Sequence, residues 1–120
     1  MAVTTGFRDF VIDQLSSMGE VRPRAMFGGV GLYLGDLFFG LIDDDVLYLK
    51  VDDATRAFFE RAGSAPFRPY KDRPETMQYY NVPLGVVEDV ETLAEWAQLA
   101  LDAAHRKVGP KPRKSRASRA

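Results

Sequence analysis

Between Val30 and Val51 the chain passes through three β-rich stretches joined by turns too short for anything but hairpins. Residues 30–34 and 37–42 are separated only by Gly35-Asp36, a pair suited to a two-residue hairpin turn. The run Asp43-Asp44-Asp45 then leads into residues 46–51. Turns this tight predict a register: Leu34 opposite Leu37, Tyr33 opposite Phe38, Leu32 opposite Phe39, Gly31 opposite Gly40, Leu41 opposite Leu47 and Gly40 opposite Tyr48. Alternation along each strand then sorts the side chains onto two faces. Face one takes Val30, Leu32, Leu34, Leu37, Phe39, Leu41, Leu47, Leu49 and Val51, and being wholly apolar it must be covered by helices. Face two takes Gly31, Tyr33, Phe38, Gly40, Ile42, Val46, Tyr48 and Lys50.

The spacing of Phe7, Phe10, Val11, Leu15 and Met18 predicts a helix over residues 6–18, capped by Thr4 or Thr5 and stopped by Gly19. Arg22-Pro23-Arg24 breaks its continuation. Asp52 or Asp53 opens a short second helix to Ala62, with Gly63 as its stop. Residues 66–70 and 76–82 read as strands, with 71–75 as the loop between them. Asp89 caps a third helix with an apolar stripe of Val90, Leu93, Ala97, Leu101 and Ala104. It frays near Lys107 and ends by Gly109-Pro110. The predicted order is α-β-β-β-α-β-β-α, a single two-layer α+β domain with helices packed on an antiparallel sheet. A chain of 120 residues suits one such domain and buries about two-thirds of its surface. Residues 1–107 form the expected domain and residues 108–120 a basic, disordered tail.

Charge divides the chain the same way. Of its 16 Lys and Arg, seven lie from Arg106 onward, where no acid occurs. The first 105 residues hold the other nine against all 17 acids, a net of −8. Arg106, Lys107, Lys111, Arg113, Lys114, Arg116 and Arg119 suit sequence-independent phosphate contact, or else simply keep the protein in solution. No aromatic is interleaved among them to stack on bases, which disfavours single-strand recognition.

Chemistry has little to work with. The chain has no cysteine and one histidine, which excludes a disulfide framework, a zinc ribbon, a thiol nucleophile and any site needing two imidazoles. No apolar run of membrane length occurs and the N-terminus lacks an apolar signal core, so the expectation is a cytoplasmic protein with no membrane contact and no cofactor. Gly28-Gly29-Val30-Gly31 precedes a hairpin rather than joining a strand to a helix, so it reads as a bend or bulge and not a nucleotide loop. The three aspartates read as a solvated turn, and His105 as a residue at a helix C-terminus. Tyr33, Phe38, Ile42, Val46 and Tyr48 make face two aromatic. They either fill space beside strand glycines or form an interface, most simply with a second copy of the chain.

The run Arg24-Ala25-Met26-Phe27-Gly28-Gly29-Val30-Gly31-Leu32-Tyr33 resembles the opening motif of the TfoX/Sxy N-terminal domain of bacterial competence regulators. The likeness continues through Phe38-Phe39, Leu47-Tyr48-Leu49-Lys50-Val51-Asp52, Gly63 with Pro66-Phe67, Met77-Gln78-Tyr79-Tyr80-Asn81-Val82-Pro83, and Leu93 with Trp96. Its motif positions are Met26, Phe27, Gly28, Gly29, Gly31, Tyr33, Lys50, Tyr80 and Pro83. The resemblance implies a fold of secretion-chaperone type and no catalytic residues. It also implies a role near transcriptional control of DNA-uptake genes, exercised with a transcription-regulator partner. Full-length regulators of that family carry a second, helical domain, where this chain has its basic tail. The competing expectation is a small-ligand binder or enzyme with a pocket near Arg24, Met26 and Tyr80.

Overall fold

The computed structural model describes residues 3–26, 28–69 and 77–108. Helix α1, Thr5–Gln14, begins where the Thr4 hydroxyl accepts the Phe7 N–H at 3.2 Å. A 3-10 turn, Ser16–Met18, tightens its end, and Gly19 leaves at φ 127°, a conformation that favours glycine. Four strands follow: β1 (Val21–Met26), β2 (Gly29–Leu34), β3 (Leu37–Asp43) and β4 (Val46–Lys50). After α2 (Arg56–Arg61) come β5 (Pro66–Phe67) and β6 (Met77–Asn81), then the single turn α3 (Leu84–Val87) and the long α4 (Val90–Val108). The six strands form one antiparallel sheet in the order β1-β2-β3-β4-β6-β5. The architecture is the expected α+β layering, with two elements beyond the predicted order, β1 and α3.

Strand β1 contains the Arg22-Pro23-Arg24 run that reads as a breaker. Among the described residues it pairs with β2 alone, Pro23 lying opposite Leu32, and an edge strand tolerates a residue without an N–H. Met26 pairs with Gly29, so the chain turns between them, Gly28 sitting at φ 77°. The glycine-rich segment is therefore a hairpin. Phe27 lies outside the described residues, as do the predicted 71–75 loop and the tail from Gly109 onward.

Two details of register overturn the predicted faces. Leu34–Leu37 and Tyr33–Phe38 pair as expected, but Leu32 then faces Gly40 and Gly31 faces Leu41. A bulge at that point leaves Phe39 without an opposite number, and strand parity inverts beyond it. The second turn uses only Asp44 and Asp45, both at positive φ, so Asp43 pairs with Val46 and Leu41 with Tyr48. In consequence Ile42, 0% exposed, packs on the helix side, while Leu41 moves to the other face. Gly40 changes faces with Ile42, its Cα directed at the Leu32 and Leu49 side chains.

The main core lies between this sheet face and the helices. Leu32, Phe39, Ile42, Leu47 and Leu49 meet Val11 and Leu15 of α1, Phe59 of α2, Val87 of α3 and Leu93, Trp96 and Leu101 of α4. Each fully buried Leu, Ile or Phe contributes about 1.5–3 kcal/mol relative to exposure. Ala97, Ala100 and Ala104 give α4 a flat side that lies close on β3 and β4. Asp89 accepts the Glu91 and Thr92 N–H groups and so starts α4 as its sequence predicts. Val90 and Phe10, both assigned to buried stripes, are 42% and 38% exposed because each stands at the margin of its helix contact.

Candidate interaction surface

The opposite sheet face carries a second apolar cluster, and among the described residues no helical one belongs to it. Leu41, Phe67 and Tyr79 are its buried centre, bordered by the half-buried Phe38, Tyr48 and Met77. The rings form a ribbon across the strands. Tyr33 on β2 stacks on Phe38 of β3 at 5.1 Å, and Phe38 meets Tyr79 of β6 at 5.2 Å. Tyr48 of β4 meets Phe67 of β5 at 4.9 Å. Cations close both ends, the Arg24 guanidinium 5.9 Å from the Tyr33 ring and the Lys50 ammonium 4.9 Å from the Tyr79 ring. Burial holds the Tyr79 hydroxyl above the usual phenol range.

Lys50 is the unusual member, 7% exposed at the end of β4. Desolvation lowers its pKa first, the Lys107 charge lowers it further, and Asp52 acts in the opposite direction. Asp52 itself is held by Arg106, whose Nε donates to Oδ2 at 2.6 Å and whose Nη2 donates to Oδ1 at 3.1 Å. These bonds place the Asp52 carboxyl below its ordinary range. A carboxyl depressed in the fold contributes stability above its unfolded pKa and loses it as pH falls through the folded value. Wild type and Asp52→Asn are therefore expected to differ in urea midpoint at pH 7 and to converge in strong acid. The difference is small and shrinks in salt, because both side chains are partly exposed.

The geometry sorts the sequence-derived residues. Tyr33, Phe38 and Tyr48 share the ribbon face, and Val46 alternates with Tyr48 onto the same side. Ile42 does not belong there. Met26 and Phe67 line one narrow cleft, while Tyr80 points to the helix side and donates to Glu60 at 3.1 Å. Tyr80 is thus not brought together with Arg24 and Met26, since its side chain packs into the helix-side core. Arg24 instead borders an open groove of about 340 Å³ with Arg22, Tyr33 and Asp36. Arg106 is engaged by Asp52 rather than offered to phosphate. Lys107 is exposed on the last turn of α4, and Lys111, Arg113, Lys114, Arg116 and Arg119 lie outside the described residues. Gly29 and Gly31 serve close backbone approach, and Pro83 precedes α3. The buried partners Phe67 and Tyr79 escaped notice because their short strands had no predicted register. Among the described residues no group of three or more His, Cys, Asp or Glu could hold a metal ion, and no helix is long and apolar enough to cross a membrane.

The family model described as the TfoX N-terminal domain matches residues 13–104. The DNA transformation protein TfoX1 of Aliivibrio fischeri is 35% identical over 69 residues, 57% of this chain and 33% of that protein. The chain thus spans about a third of the length of this relative. An uncharacterized 12.7 kDa protein from the trpE 5' region of Spirochaeta aurantia is 32% identical over 116 residues, 97% of this chain and 93% of that protein.

Proposed function

The chain belongs to the TfoX N-terminal domain family, and from that premise we propose that it is a non-enzymatic regulatory module in competence-type transcriptional control, acting through protein–protein contact. The observation that supports this most is the alignment with a protein named for DNA transformation. The ribbon of Tyr33, Phe38 and Tyr48 is the contact surface in this reading, because half-buried aromatics on a sheet face whose apolar cluster is built from strand residues suit an interface. The partner is a transcription regulator, or a second copy of the chain. Deleting the gene in its native host is expected to change transcript levels of DNA-uptake genes. Tagged wild type is expected to retain a regulator from nuclease-treated lysate, and Phe38→Asp to lose it while remaining folded by circular dichroism. Unchanged transcripts together with equal retention by Phe38→Asp would sink the proposal.

Duplex DNA is a secondary contact. The five cations from Lys111 onward allow a slope of log affinity against log salt of at most about −4 to −5. The −8 charge of the first 105 residues opposes the association. Removing residues 109–120 is expected to abolish a mobility shift at low salt and to leave the melting temperature unchanged. Equal shifts by both proteins would assign any DNA contact to the folded body.

A further inference from the structure

Lys50 presents a problem that the regulatory reading does not solve. It is 93% buried, yet among the described residues its ammonium has no hydrogen-bond acceptor, only the Tyr79 ring at 4.9 Å. Another cation, Lys107, lines the same two grooves and lowers the Lys50 pKa by more than Asp52 raises it. Two open grooves, of about 290 and 360 Å³, meet at this pair, and both lysines line each of them. The acids of the smaller groove are already engaged, Asp52 by Arg106 at 2.6 Å and Asp53 by Arg56 at 2.8 Å. The larger groove is mostly apolar, walled by Leu37, Phe38, Ala104 and Val108. Asp36 also lines it.

The Lys50 side chain is largely desolvated, and among the described residues no side chain accepts from its ammonium. That ammonium lies beside a second cation while Asp52 is tied to Arg106, so the pair is short of counter-charge. An anion between Lys50 and Lys107 supplies it, and an apolar body extending along the larger groove adds burial. We propose that this corner binds a small amphiphilic organic anion with a single charged head, a carboxylate or phosphate held by Lys50 and Lys107, and an apolar body along Leu37, Phe38 and Val108. Asp36, which lines the same groove, disfavours a second anionic group on the ligand. The groove volume, near the lower end for ligand sites, keeps the ligand small.

The test is calorimetric titration of the full chain with octanoate, octyl phosphate, inorganic phosphate and octanedioate. Saturable one-to-one binding is expected for octanoate or octyl phosphate, and the tighter of the two identifies the head group. Inorganic phosphate and octanedioate are expected to bind at least tenfold more weakly. Lys50→Met and Lys107→Met should each lose at least tenfold in affinity, whereas Arg8→Met on α1 should not change it. Lys107 is exposed, so its variant decides the matter even if Lys50→Met fails to fold. No saturable binding of either octyl compound overturns the proposal, as does binding that both lysine variants leave intact. Equal binding of octanedioate overturns the role given to Asp36. The measurement uses purified protein alone, so its result is independent of the regulatory role.

Discussion

Replacing Trp96 with alanine is expected to lower the unfolding free energy by about 3–5 kcal/mol. Trp96 is the only indole of the chain and 6% exposed. Its ring meets Phe58 and Phe59 edge-on, each at 5.1 Å, and so joins α4 to α2 beside the sheet. Alanine leaves a cavity whose lining cannot collapse, because Phe59 is held in turn by Tyr80 on β6. Typical domains are stable by about 5–15 kcal/mol, so the loss removes a large share of the total. Urea titration followed by far-ultraviolet circular dichroism measures it, with an unchanged m value showing that the denatured state is unaffected. Trp96→Phe should recover most of the difference. A cost near zero would mean that α4 does not sit on the sheet through this residue.

Gly29→Ala is expected to cost about 3 kcal/mol, the upper end of overpacking penalties. A Cβ at Gly29 collides with the Ile42 carbonyl oxygen, a backbone atom fixed in β3. The neighbouring glycines provide the comparison. A Cβ at Gly31 stands 2.6 Å from the Met26 Cε, the movable end of a flexible side chain, so Gly31→Ala should cost less. Gly28 has open space around it but lies at φ 77°, so Gly28→Ala carries a backbone penalty of about 1–2 kcal/mol. Thermal melts of the three variants should rank Gly29 as the most sensitive. Equal effects would show that the whole motif acts through one cause, contrary to its geometry.

The contrast among these glycines shows how far residue patterns reach. Their placement at a hairpin entrance follows from the strands behind them, and α4 follows from its stripe and its Asp89 cap. Register beyond Phe38 does not, because a bulge adds one residue without any composition signal. Three consecutive aspartates likewise conceal which two form the turn. Strand β1 hides behind a proline that only an edge position permits. At the site, alternation places Lys50 among the aromatics of face two. Its burial could not be anticipated, since that depends on the last turn of α4 arriving from 57 residues later in the chain.

That sequence distance also sets an order of events during synthesis. Strands β1 to β4 are neighbours both in sequence and in the sheet, and hairpins of this kind close in about 1–10 μs. A ribosome adding about 5–20 residues per second needs roughly 3–12 s to proceed from Lys50 to Val108. During that interval the nascent meander has Leu32, Phe39, Leu47 and Leu49 in place on one side, with α4 not yet made to cover them. The vulnerable species is thus the unfinished chain, and slow translation of its second half lengthens the time available for it to aggregate.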